Sequence, residues 1–199
     1  MLHRVLEADD PLLRSDDALN TAVTLLRELD DPARDEFLLF TAEHDDALLR
    51  TCLIGHLTGS ALVVEPLSER ILVLHHRKLK KWLQPGGHAD GDGNLAAVAL
   101  REATEETGID GLRVVVPALH LDIHVVEPPN EAPHRHYDVR YLVLAPEGAK
   151  AIGNLESTAI RWVTLDELDA LSDEPGLLLL ARRGLEVART LRDSGEERH

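Results

Sequence analysis

The chain has 199 residues, 44% of them apolar and 29% charged, with a formal net charge of −15 at pH 7. That is the composition of a folded globular domain with some added elements, not of a disordered chain. The acidic excess argues against a binder of nucleic acid polymers, although a metal cation can still bridge the chain to a small phosphate compound. A single cysteine, Cys52, excludes an internal disulfide and a cysteine-based zinc site. No apolar run reaches the ~18 residues of a membrane span, and the first residues lack the apolar core of a secretory signal. A reducing, cytoplasmic setting is therefore expected, with no membrane partner.

The first third reads as helices. Leu19, Ala22, Val23, Leu26 and Leu29 form one stripe in a helix over Ser15–Leu29, with Ser15 as its cap. Asp30-Asp31-Pro32 breaks it, and shorter helices are expected over Ala33–Thr41 and Asp45–Cys52. From Gly55 the texture changes. Leu57–Glu65 and Arg70–His75 read as strands joined by a turn at Pro66–Glu69. A loop, Arg77–Gly93, leads to a helix over Leu95–Thr107, which Gly108 is suited to end. Strands are expected at Leu112–Val116, His120–Val126, Tyr137–Leu144 and Ala159–Val163. Thr164 and Glu167 have capping-box spacing for the next helix. A last helix is expected at about Leu177–Leu191, with a frayed tail from Asp193 to His199. The pattern implies an α/β chain: a helical extension (1–55), a mixed sheet with packed helices (56–171), and a C-terminal helix and tail (172–199).

The residues that speak of chemistry lie between Gly86 and Gly108. On a helix, Glu102, Glu105 and Glu106 share an arc of about 100°. Leu95, Val98 and Ala99 lie on the same side, and Ala96, Leu100 and Ala103 on the other. A helix apolar on both sides is covered on both sides, so the carboxylates sit at the edge of a packed region. Arg101 can pair with Glu105 at i+4, but one guanidinium cannot neutralise three carboxylates. A hard divalent cation can. Gly86-Gly87 permits close backbone approach and frees a carbonyl to face a metal. A cation held this way, with open water positions, suits attack on a phosphate ester.

These residues resemble the Nudix box, G-x5-E-x7-R-E-U-x-E-E-x-G-U, where U is a bulky apolar residue. Gly87, Arg101, Glu102, Glu105, Glu106 and Gly108 fall in register, with Ala103 and Ile109 at the two U positions. The resemblance runs from about His56 to Leu171. At the first Glu of the box this chain has Gly93, with Asp90 and Asp92 nearby. The resemblance implies a Nudix α/β/α sandwich that hydrolyses a nucleoside diphosphate linked to another moiety, using Mg²⁺ or Mn²⁺. It implies Glu102, Glu105 and Glu106 as the metal and base cluster, the Gly86 carbonyl as a further ligand, and Arg101 as the residue that orients the glutamates. It also directs attention to Glu156, ahead of the last core strand, as a supplementary ligand or base; the alternative is a solvated loop acid. Nudix proteins are often dimers, so a homodimer is compatible with this reading. A non-catalytic Nudix-like binding or regulatory module is the alternative, to which Gly93 and the added helical region lend support. An isopentenyl diphosphate isomerase is disfavoured, because Cys52 has no matching motif.

Several further residues bear on the chemistry. His88 follows the glycine pair and is placed to meet substrate phosphates. Arg77, Lys78, Lys80 and Lys81 form either a phosphate clamp or a solvated turn. Trp82 either stacks on a base or packs in the core. His134-x-His136 and His120-x3-His124 have spacings open to transition-metal ligands, are simply hydrogen-bonded or exposed histidines, or contact the substrate's phosphate or base.

Overall fold

The computed structural model describes residues 3–67, 69–128 and 131–195. In chain order its elements are β1 (Arg4–Leu6), a 3-10 turn (Pro11–Leu13), α1 (Leu19–Arg27), α2 (Arg34–Glu43), β2 (Gly55–Glu65), β3 (Arg70–His76), β4 (Trp82–Leu83) and β5 (Gly86–His88). There follow α3 (Leu95–Thr107), β6 (Arg113–Val126), β7 (His134–Leu144), β8 (Ser157–Val163), α4 (Leu165–Leu171) and α5 (Pro175–Ser194). The strands form one mixed sheet in the order β1-β6-β7-β2-β3-β4, with β5 also paired to β2 and β8 to β3. β2 and β7 run parallel at its centre. Every residue of β2 is buried, as expected for a strand covered on both faces.

Side-chain alternation divides the core in two. Leu57, Ala61 and Val63 of β2 join α1, α2 and α3 on one face. Leu62 and Val64 join α4 and α5 on the other. The result is a helix–sheet–helix sandwich, the α/β/α class expected. Helix α3 spans the expected residues, and Gly108 ends it with φ 65°, a left-handed conformation that glycine adopts without strain. The capping box of Thr164 and Glu167 is formed in both directions.

Four local expectations need correction. Helix α1 starts at Leu19 rather than Ser15, because residues 16–18 run against the loop before α3: the Asp16 N–H donates to the Asp92 carboxylate at 3.1 Å, and the Asp16 carbonyl accepts from the Gly93 N–H. Asp45–Cys52 is a series of turns, not a helix, with Arg50 drawn out to the Asp90 carboxylate by two 2.7 Å bonds. The two strands expected between Leu112 and Val126 are one strand, β6, whose register shifts between Val115 and His120, around Pro117 with its missing N–H. The extension is not purely helical, since β1 pairs with β6 as an edge strand. The tail expected to fray lies outside the described residues from position 196 onward, as does position 68 of the turn between β2 and β3.

Candidate active site

Strand β5 is held between β2 and α3. Its register sets Gly86 opposite Ser60, Gly87 opposite Gly59 and His88 opposite Thr58. On the helix side the Gly86 N–H donates to Glu106 Oε2 at 3.1 Å. A Cβ on Gly87 would collide with the carboxylate of Glu102, so only glycine admits that side chain here. The two glutamates therefore converge on the glycine pair.

Their electrostatics are those of acids held together without enough counter-charge. Burial pushes Glu106 up to about 7, against the pull of the Gly86 N–H, and Glu102, Glu156 and Glu105 raise it further. Glu102 is also raised by burial; Arg101 opposes this and Glu105 adds to it. Glu105 itself is exposed. Arg101 does not pair with Glu105 as its i+4 spacing suggested. Its guanidinium lies 3.4 Å from Glu102 and 3.7 Å from Asp92, so it bridges the helix and the preceding loop. Clustered carboxylates beside a backbone glycine pair suit a hard divalent cation.

Glu156 is exposed but close enough to raise both Glu102 and Glu106. The Arg77 guanidinium donates to the Leu155 carbonyl at 2.8 Å and the Ser157 carbonyl at 3.2 Å, so it holds the segment that carries Glu156. Lys78 is exposed in the turn after β3, and Lys81 pairs with Glu174. Trp82 packs against the α4/α5 core with Arg161 over its ring at 5.0 Å. Trp162 packs toward the opposite core. An apolar cavity of about 320 Å³, lined by Leu6, Leu13, Leu26, Leu95 and Tyr141 among others, has none of the carboxylates in its wall.

A buried polar network borders the glycine pair. Asp138 accepts from Thr58 and Ser60 at 2.8 Å each and from Arg140 at 2.7 Å; Arg140 also reaches Asp122 at 2.8 Å. Burial alone would raise Asp138, but Arg140 and the hydroxyl donors outweigh it and hold the carboxyl below its usual range. Beyond this network lies a group of histidines that the sequence did not assemble. In the sheet His136 stands opposite His56 on one side and His124 on the other. His88 lies 4.8 Å from His56 and 5.0 Å from His136 between ring centroids. Burial lowers His136 to about 3 and His88 to about 4, and the neighbouring cations and imidazoles add to the effect. Among the described residues a second trio of metal-capable groups, His44, Asp46 and Cys52, also has its donor atoms within 4.8 Å of one another. A count of cysteines could not reveal that mixed set.

A NUDIX domain model matches residues 56–183. A curated relative from Lactococcus lactis subsp. cremoris, described as a probable DHNTP pyrophosphohydrolase, is 32% identical over 101 residues, which cover 50% of this chain and 60% of the relative. This chain thus spans only about 60% of that relative's length. Among solved structures, a NUDIX-family hydrolase from Clostridium perfringens superposes with TM-score 0.56 at 22% identity, covering 66% of this chain and 97% of that one. The E. coli dihydroneopterin triphosphate pyrophosphohydrolase gives 0.54 at 15% identity, covering 66% and 95%. A C. elegans Ap4A hydrolase in a binary complex gives 0.51 at 18%, covering 70% and 98%. The structures share the fold, and the family model covers more than half of the chain: it belongs to the Nudix hydrolase family.

Proposed function

We propose that this chain is a pyrophosphohydrolase that uses Mg²⁺ or Mn²⁺ to cleave a phosphoric anhydride in a small, nucleotide-derived substrate. One observation carries the reading: Glu102 and Glu106 converge on the Gly86-Gly87 pair with their charges unbalanced. Glu102, Glu105, Glu106 and the Gly86 carbonyl would hold the cation, with Glu156 as a supplementary ligand. When bound, the cation would supply charge neutralisation on the diphosphate and a more acidic water.

The chain's own residues do the remaining work. The Gly86 N–H fixes Glu106, and Arg101 orients Glu102, which accepts the proton of the attacking water. Arg77 holds the Glu156 segment in place. His88, Arg77 and Lys78 are assigned to substrate phosphates, His88 because it continues β5 directly from the glycine pair. The hydrolase unit in this reading is residues 56–171, with 1–55 as an extension and 172–199 as a covering helix and tail. A homodimer and a cytoplasmic setting belong to the same proposal. No described helix is long and apolar enough to cross a membrane.

The alternative of a non-catalytic module draws its support from Gly93 and from the added helical region. That glycine has a packing reason of its own, since a Cβ there would strike the Ala18 carbonyl. The relatives' names supply a substrate panel: dihydroneopterin triphosphate and Ap4A, each with Mg²⁺ and with Mn²⁺. Product identification should show cation-dependent release of pyrophosphate or a nucleotide. No turnover of any anhydride by the folded, cation-loaded chain would favour the binding module.

A further inference from the structure

We propose that His56, His134 and His136 form a transition-metal site of the zinc type, separate from the glutamate centre and bordered by His88. Their donor atoms all lie within 4.8 Å of one another. The sheet register is what assembles them. His56 of β2 faces His136 of β7 directly, and His134 lies two residues earlier on the same face of β7.

Hydrogen bonding leaves these rings ready to coordinate. His56 is 3% exposed, and neither ring nitrogen makes a well-formed hydrogen bond, the Cys52 backbone offering only a weak acceptor. His136 Nε2 is also buried without a partner. The Nδ1 of His134 lies 2.9 Å from the Ala132 carbonyl, an oxygen that can only accept. That nitrogen therefore carries the proton, and Nε2 is left with a free lone pair. A ligating histidine commonly has its other nitrogen tied to a carbonyl in this way. Buried polar atoms are rarely left unsatisfied, and several in one cluster point to a missing partner.

The donor set selects the ion. Imidazoles suit Zn²⁺, Ni²⁺, Co²⁺ or Cu²⁺, whereas Mg²⁺ demands oxygen. Tetrahedral zinc with Zn–N bonds of about 2.0–2.1 Å sets its ligand nitrogens about 3.4 Å apart, so donors within 4.8 Å must close by up to about 1.4 Å as the rings turn onto the ion. Three protein ligands leave a fourth position for water, a substrate atom or His88, whose ring is 4.8 Å from that of His56. His88 follows Gly86 by two residues on β5, so this ion would border the diphosphate cleft.

The test uses the untagged full chain, stripped with chelator and held in excess Mg²⁺ to fill the carboxylate centre. Cobalt(II) is then titrated in. A low-coordinate nitrogen site gives intense visible bands, and a six-coordinate oxygen site gives weak ones. One equivalent of cobalt with intense bands, displaced by one equivalent of Zn²⁺, is expected. The same bands should persist in Glu106→Gln. They should be lost in His134→Gln and His136→Gln, with zinc affinity falling by more than the ~10–100-fold typical of losing a supporting group. Circular dichroism checks that each variant is folded. If neither histidine variant folds, the bands of the wild-type and Glu106→Gln chains decide. Absence of intense bands in the wild-type chain, their loss in Glu106→Gln, or their survival in both folded histidine variants would each overturn the proposal.

Discussion

Gly93 and Ala18 are pressed together so closely that a Cβ on Gly93 would collide with the Ala18 carbonyl. The Asp16 carbonyl lies 3.1 Å from the same point and accepts the Gly93 N–H. The box position that calls for glutamate is thus occupied by the N-terminal segment. Sequence reasoning alone expects Gly93→Glu to alter metal affinity modestly. The packing predicts instead that Gly93→Ala costs about 1–3 kcal/mol through overpacking, and that Gly93→Glu costs more. Urea unfolding of the two variants measures this. Wild-type stability in Gly93→Glu would show that residues 16–18 move aside freely.

Glu105→Gln and Glu106→Gln should each lower kcat by at least about 100-fold, the scale seen when a positioned charge at a reacting centre is lost. The fold should tolerate both. Glu105 is exposed, and a glutamine at 106 can still accept from the Gly86 N–H. Steady-state kinetics on any substrate the panel identifies, with circular dichroism as a fold control, makes the check. Undiminished turnover in a folded variant would remove that residue from the chemistry.

The raised pKa of Glu106 makes a pH prediction with a definite sign. The folded value is about 7 against an ordinary 4.5. The folded state therefore holds the proton more tightly than the unfolded chain. The stability this group contributes is fully present below pH 4.5 and is lost as pH rises through about 7. The lowered pKa values of His88 and His136 act in the opposite direction at acid pH, so the comparison must be between wild type and Glu106→Gln. In metal-free protein the Tm difference between variant and wild type should grow across this range. Added Mn²⁺ should raise the wild-type Tm more at about pH 8 than at about pH 5.5, because the cation competes with the proton. A Mn²⁺ shift independent of pH would contradict this.

Helix α3 and its glycine were legible because one segment carries its own pattern: apolar on both faces, acidic at one edge, glycine at the end. The capping box at Thr164 was legible for the same local reason. The partners of Arg101 were not, because Asp92 reaches it through a loop conformation that i+4 spacing does not describe. Nor was the histidine group, although His134-x-His136 marked part of it. His56 and His136 lie far apart in sequence and meet only through the parallel register of β2 and β7. Strand β1 escaped notice because three residues, Arg4–Leu6, are too few to show a period. Arg77 read as a free cation, and its two carbonyl partners on the β8 approach emerge only in the tertiary structure.

The last prediction concerns the first 54 residues. Their leucine stripe must dock somewhere, and the sequence alone predicts that a chain starting near Gly55, if soluble, keeps metal binding while losing stability, dimerisation or substrate affinity. The stripe does dock, with Leu26 fully buried on the α3 face of the sheet. Phe40 of α2 stacks on Tyr137 at 3.9 Å between centroids, and Phe37 meets the same ring edge-on at 5.3 Å. Backbone bonds from the Leu57 N–H to Ala47 and from the Gly91 N–H to Leu48 tie the same region to β2 and to the loop before α3. Each buried leucine stabilises by about 1.5–3 kcal/mol, and several are involved. A chain starting at Gly55 should therefore expose one face of the sheet and aggregate or lose cooperative unfolding. Phe40→Ala is the gentler probe: it should cost about 3–5 kcal/mol, yet leave kcat of the folded fraction near wild type, since Phe40 touches none of the proposed site. Urea unfolding, light scattering and turnover separate these effects. A truncated chain that is monodisperse and unfolds cooperatively at wild-type stability would show that the N-terminal layer is dispensable to the fold.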